Sequence, residues 1–279
     1  MERFCQGPWS VRHQITQFRC MKTPSQIASN HVDGITLATY LADPPTVGAT
    51  GLTETRFRDR IDAGKRLGDA LGAYANRRDV LVLALPRGGV PVAAKAAVKL
   101  NAPLDILVVR KLGVPFHCEL GMGAIASGGI RIINKEVVDA LGISTEDIEA
   151  VAREEEHELE RREKAYRGDV PASKLEGKTV ILVDDGIATG STMLAAVAAA
   201  RQLKAAHIVV AVPTVAASTY HKMREVADDV VALIRPEEFY AVGQWYESFP
   251  QTKDQEVRQC LTEATQRQLA STNHENKAA

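Results

Sequence analysis

Residues 179–192 read TVILVDDGIATGST. Four apolar residues, Val180 to Val183, run straight into two adjacent carboxylates, Asp184 and Asp185. A turn with Gly186 and Gly190 follows. It ends in Thr189, Ser191 and Thr192, just ahead of the helical run MLAAVAAARQLK. The order is buried parallel strand, polar turn, helix. Open α/β sheets bind their ligands at the carboxyl ends of such strands. Glycines that admit a close backbone, hydroxyls, and the N–H groups of a helix N-terminus together suit a phosphate. The two acids suit sugar hydroxyls or a magnesium ion, because carboxylate oxygens accept from O–H and coordinate hard cations. A lone Asp-Asp pair would need no ligand, since the helix dipole favours acids at that end. The complete strand–DD–xxx–TG–x–T pattern is more specific. No GxxxxGK[ST] occurs, so a nucleotide P-loop is set aside.

A second turn of the same kind lies upstream. VLVLALP, 80–86, predicts a buried strand that runs into Arg87-Gly88-Gly89, and VAAKAAVKL predicts the helix behind it. The bland reading is a tight turn that needs positive φ. Beside the first loop, the two glycines instead suit backbone N–H groups facing an anion. Two such turns at one sheet edge can hold the two ends of one ligand. DILVVRK, 105–111, predicts a further strand that ends in Arg110 and Lys111, cations suited to a pyrophosphate. The Gly- and Pro-rich stretch 112–129 is too irregular for a helix, and His117 and Glu119 are its ionisable groups. FYAVGQWYESF, 239–249, concentrates the aromatics of an aromatic-poor chain. Trp245 or Tyr246 could stack on a flat base or simply pack a C-terminal subdomain.

Elsewhere, apolar residues at helical spacing from Phe57 to Tyr74 predict a helix. Ser144 with Asp147 predicts the start of a charged helix over 145–166, whose Glu158–Arg162, Glu160–Lys164 and Glu163–Arg167 spacings read as a solvated face, with a ligand contact by Arg161 or Arg162 as the alternative. Strands at 130–134, 208–213 and 230–234, a helix at 216–227, and a final helix opened by Thr252 complete a mostly parallel α/β pattern. Residues 51–270 read as the domain. Residues 1–50, basic and without periodicity, read as a disordered leader, and 271–279 as a polar tail. A net charge of −1 gives no global field for nucleic acid, which makes that partner an unfavoured one. Cys5, Cys20, Cys118 and Cys260 have no metal spacing and fit a reducing, cytoplasmic setting. No apolar run is long enough to span a membrane.

The VDDGIATGST stretch resembles the phosphoribosyl-pyrophosphate (PRPP) signature of type I phosphoribosyltransferases. The resemblance covers about 56–265. It extends to a bacterial phosphoribosyltransferase-like group that shares LPRGGVPVA, VVRKLG, GAIASGG and VDDGIATG. It implies a type I phosphoribosyltransferase fold: a mostly parallel twisted sheet flanked by helices, with a small hood subdomain. The implied activity is transfer of the 5-phosphoribosyl group from PRPP to a nitrogen acceptor such as a nucleobase, with release of pyrophosphate, by a homodimer that uses Mg²⁺.

In that resemblance Asp184 and Asp185 hold the ribose hydroxyls, directly or through Mg²⁺, and Ala188, Thr189, Gly190, Ser191 and Thr192 hold the 5′-phosphate. Arg87, Gly88 and Gly89 bind the pyrophosphate in a loop that often holds a strained peptide, and Arg110 and Lys111 serve it from the end of a strand. Stretch 112–129 is a mobile catalytic loop, and Trp245 belongs to the hood. Ala188 stands where hypoxanthine-guanine enzymes carry Asp, which disfavours a 6-oxopurine acceptor. Two alternatives keep the fold: a regulator that senses PRPP or nucleotides without catalysis, and a hydrolase of phosphorylated ribosides.

Overall fold

The computed structural model describes residues 56–115 and 117–278, backbone only at 118, 119 and 271–278. The expected leader at 1–50 lies outside the described residues. Asp59 caps the first helix, α1 (Arg60–Ala70), by accepting from the Asp62 N–H at 2.8 Å. Strand β1 (Val80–Ala84) is buried along its whole length and leads into α2 (Gly89–Leu100). Strand β2 (Leu104–Ile106) is short. Then come β3 (Val109–Val114), β4 (His117–Ala126) and β5 (Ile130–Ile133), followed by α3 (Lys135–Leu141) and the long α4 (Thr145–Arg167). The second half alternates β6 (Thr179–Val183), α5 (Ser191–Gln202), β7 (His207–Thr214), α6 (Ala217–Val226), β8 (Asp229–Ile234) and α7 (Asp254–Ala278).

Strands β2-β1-β6-β7-β8 form one sheet in that order, every pair parallel. Its strands are near-continuous apolar runs because helices cover both faces. Val80, Val82, Ile181, Val183 and Val209 face one core with α1, α2 and α7. Their neighbours Leu81, Leu83, Val180, Leu182 and Val210 face the other with α5 and α6. Each fully buried Val or Leu contributes roughly 1.5–3 kcal/mol, so the sheet is the rigid part of the molecule. The strand order reverses between β1 and β6. Doubly wound sheets open a crevice at such a switch point, and both motif-bearing turns flank this one.

Four local expectations need correction. The predicted strand 105–111 is two strands in two sheets. Leu107 N–H still bonds the Ala84 carbonyl at 3.0 Å, but Val108 N–H turns to Ser127 Oγ at 2.9 Å, and β3 leaves the parallel sheet there. Residues 112–114 and 117–126 are strand rather than the loop that the resemblance implies: β3, β4 and β5 make an antiparallel arm, with register shifts around Gly113. Helix α2 starts at Gly89, so the glycine turn is the helix's own first turn. The last helix opens on the Lys253 carbonyl, which accepts from the Glu256 and Val257 N–H groups, rather than on Thr252. Helix α3, capped by Asn134, had no counterpart in the expectations.

Candidate active site

Register pairs Ala84 with Val183, so the β1 and β6 turns leave the sheet side by side. The Asp184 and Asp185 side chains sit at the base of a cleft of about 450 Å³, whose walls include Arg60, Arg87, Gly88, Val242 and Phe249. Gly88 and Gly89 have negative φ, so a positive-φ turn is not what selects them. Close approach is. A Cβ on Gly88 would collide with the Asp185 carboxylate, and one on Gly89 would lie 2.6 Å from the Val183 carbonyl. The Pro86–Arg87 peptide bond is cis. Neither α2 nor α5 has a side-chain cap at its N-terminus, and Gly190 opens α5 with φ of 83°. Helix first turns carry N–H groups without intrahelical partners, so both ends are suited to anions.

The acids differ in their surroundings. Asp184 Oδ1 accepts from the Asp185 N–H at 2.8 Å. Burial, and then the neighbouring Asp185 charge, push the Asp184 carboxyl well above the usual carboxylate range. Burial also raises Asp185, against the opposing pull of Arg60. Arg60 donates from Nε to Asp185 Oδ2 at 2.8 Å, with Nη2 also 2.8 Å from that oxygen. Its Nη1 donates to the Pro250 carbonyl at 2.6 Å, and its guanidinium carbon lies 3.8 Å from the Phe249 ring centre. The Tyr246 hydroxyl donates to the Asp185 carbonyl at 2.5 Å, and burial followed by the Asp185 charge raises its pKa.

Of the expected residues, Arg87, Gly88, Asp184 and Asp185 meet in the cleft, with Gly89 packed against Val183 and Asp184 beside it. Arg87 Nη1 lies 3.5 Å from Asp254 Oδ1 at the start of α7. Ala188 and Thr189 are exposed on the β6 turn, where the Ala188 carbonyl accepts from Thr219 Oγ1 at 2.6 Å. Lys111, Ser191 and Thr192 line a separate concavity of about 510 Å³ between the arm and α5. Arg110 is not brought to the cleft: its Nε donates to Glu155 Oε2 on α4 at 2.6 Å. Trp245 is not brought there either. It is 3% exposed and packs with Phe57, Ala63 and Tyr246. His117 is exposed on β4 of the arm. Arg161 and Arg162 both pair with Glu158, as a solvated helix face would.

Arg60, Tyr246 and Phe249 are the contributions that sequence reasoning missed or misassigned. Arg60 stands 125 residues from its partner Asp185, and no local pattern marks it. The wall it touches is fixed by a parallel bridge between Phe57 and Tyr246, with Phe57 N–H bonded to the Trp245 carbonyl at 2.9 Å and Glu247 N–H to the Phe57 carbonyl at 2.8 Å.

A parallel sheet with two uncapped helix starts and an acidic pair at its switch point defines a doubly wound α/β protein whose crevice is suited to anionic and hydroxyl groups. Comparison with known proteins narrows that class. Residues 124–246 match the family described as phosphoribosyl transferase domain. Proteins of two Mycobacterium tuberculosis strains, provisionally named phosphoribosyl transferases, are each 46% identical over 201 residues, or 72% of this chain and 45% of theirs. The chain thus spans about half the length of the curated relatives it matches. The crystal structure of TT1426 from Thermus thermophilus has a TM-score of 0.68 at 36% identity, covering 75% of this chain and 98% of that one. The chain belongs to the phosphoribosyltransferase family. Among the described residues no helix is long and apolar enough to cross a membrane.

Proposed function

We propose that the protein transfers the 5-phosphoribosyl group of PRPP to a nitrogen acceptor and releases pyrophosphate. One observation carries the reading: the RGG turn and the DDGIATGST turn emerge from neighbouring strands, with both carboxylates between them. PRPP has the matching shape, a diol in the middle with a phosphate at one end and a pyrophosphate at the other.

Displacement at the anomeric carbon goes through an oxocarbenium-like state. Positive charge grows on the ribose and negative charge on the departing pyrophosphate. In this reading Asp184 and Asp185 accept from the ribose hydroxyls and oppose the positive charge. The N-terminus of α5, with Thr189 on its turn, binds the 5′-phosphate, and Ser191 and Thr192 approach it from the neighbouring concavity they line with Lys111. Arg87 and the first turn of α2 receive the leaving group, a charge that preorganised donors stabilise at no reorganisation cost. Lys111 joins them only if the arm carries it to the cleft. The wall of Val242 and Phe249 limits water at the reacting carbon.

A magnesium ion fits this donor set. Asp184 is a half-buried carboxylate next to Asp185, and the nearby guanidinium of Arg60 bonds Asp185 instead. Magnesium is commonly held by one or two carboxylates together with substrate phosphates and water. Asp184 and Asp185 would hold it, and it would supply charge neutralisation for the pyrophosphate.

A non-catalytic PRPP or nucleotide sensor is the second reading. The inward packing of Trp245 favours it, since that ring offers no stacking face for an acceptor base. One experiment separates the readings: PRPP with Mg²⁺, a pooled panel of nucleobases and amines, and detection of both pyrophosphate and ribosylated product. A transferase yields both together. A hydrolase yields pyrophosphate with no acceptor present, and a sensor binds PRPP but releases nothing.

A further inference from the structure

We propose that Arg60 is a positioning residue of the transfer site, one that holds Asp185 in place and ties it to the cleft wall. The inference rests on the phosphoribosyl-transfer reading above. Three contacts made by one guanidinium carry it. Both Nε and Nη2 sit 2.8 Å from a single oxygen, Asp185 Oδ2. Nη1 reaches the Pro250 carbonyl at 2.6 Å. The plane lies over Phe249, whose other neighbour is Tyr246 at 4.8 Å between ring centres. The Arg60 and Asp185 side chains are only 11% and 14% exposed.

The arrangement divides the labour of the acidic pair. A carboxylate with one oxygen bound by two donors cannot rotate freely, so the other oxygen, Oδ1, keeps a fixed direction. Asp185 is also pinned through its backbone, where its carbonyl accepts from the Tyr246 hydroxyl. Asp184 has no arginine of its own among the contacts of the described residues; its oxygen accepts the Asp185 N–H. Arg60 therefore offsets one of the two negative charges and leaves Asp184 as the carboxylate that a cation would meet. Because the same guanidinium also contacts Pro250 and Phe249, one side chain ties the acid to a wall that the Phe57–Tyr246 bridge already fixes. A guanidinium does this where an ammonium does not, since its planar fork bonds in two directions and stacks on a ring.

The test is a double-mutant cycle with Arg60→Gln, Asp185→Asn and the combined variant, alongside Arg60→Lys. PRPP binding is read by calorimetry with Mg²⁺ and turnover with an acceptor found in the panel. Arg60→Gln should lower kcat on the order of tenfold to a hundredfold while KM for PRPP stays within about threefold, the pattern of an interaction felt mainly in the transition state. Arg60→Lys should recover only part of the loss. In the Asp185→Asn background, removing Arg60 should cost less than about threefold more, because its target has lost its charge. Arg60→Gln could unfold by leaving two carboxylates without a counter-charge. The combined variant removes that strain, and melting temperatures of all four identify it. Equal losses from Arg60→Gln in both backgrounds, or full activity of Arg60→Gln, would overturn the inference. The parent and Asp185→Asn proteins report separately on the transfer reading: PRPP binding by the parent, with weakened turnover in Asp185→Asn, upholds that reading whatever Arg60 does.

Discussion

At the residue scale, the site trades stability for charge. Asp184 is held with its carboxyl raised well above its ordinary value near 3.8, by burial and by Asp185. The folded state then binds that proton more tightly than the unfolded chain does. Stability linked to this group is fully present below about pH 4 and is lost as pH rises towards the folded pKa, with no further change above it. Asp184→Asn removes the penalty. Without added metal, this variant should melt higher than the parent at neutral pH, and the gap should close as pH falls towards about 4, as seen by thermal scans in a buffer series. The same substitution, or Asp185→Asn, should lower turnover about tenfold to a thousandfold, the range for one well-placed electrostatic group. Gly88→Ala makes the converse point. Its methyl would collide with the Asp185 carboxylate, so it should cost about 1–3 kcal/mol as overpacking does and weaken PRPP binding at least tenfold by calorimetry. The glycine pair and the acids were legible because their spacing is local. The bland alternative of a positive-φ turn falls away; the structure adds that Gly88 leaves room for the Asp185 carboxylate and Gly89 for the Val183 carbonyl.

The antiparallel arm shows where element-level reading failed. Residues 106–109 form an unbroken apolar run that continues into Arg110 and Lys111, and nothing in it says that Ser127 will capture Val108 and divert the chain. The glycines of 112–126 lowered the apparent strand character, although Leu112, Met122 and Ile125 are buried on one side of the arm. Arg110 was read as a ligand cation because it stands at the end of the predicted strand. Its partner, Glu155, lies 45 residues away on α4. Two further bonds join the arm to α4: Arg131 to Glu149 at 2.7 Å and to Glu156 at 2.8 Å. These pairs are partly exposed, and each is worth about 1 kcal/mol or less. They act on local opening more than on global stability. Arg110→Ala combined with Arg131→Ala should speed amide exchange in β4 and β5 by about tenfold or more and leave β1 and β6 unchanged, as followed by hydrogen–deuterium exchange.

Across the whole molecule, the parallel sheet and its helices were readable because each strand is a short apolar run followed by a periodic helix. The long-range clasps were not. Arg167 at the end of α4 donates from Nε to Asp105 Oδ1 at 3.0 Å and from Nη2 to the Ile106 carbonyl at 2.9 Å, with both charged side chains about one-tenth exposed. Asp105 also accepts from the Ser173 N–H at 2.8 Å, so one carboxylate joins β2, α4 and the segment that leads to β6. Arg167→Ala should cost about 3–5 kcal/mol, because it strands a buried charge. Breaking the exposed Lys99–Asp69 pair should cost under about 1 kcal/mol in the same denaturant titration. The Phe57–Tyr246 bridge and the Arg60–Pro250 bond set a different kind of constraint, one of time. Arg60 is made 190 residues before the carbonyl it binds. At about 5–20 residues per second, a ribosome needs roughly 10–40 s to deliver that partner. Throughout that interval Phe57 has no Tyr246 to cover it and Asp185, once made, has no fixed wall. The growing chain can complete its sheet through β8 and still lack a finished cleft, so the site is among the last features of this domain to come into being during synthesis.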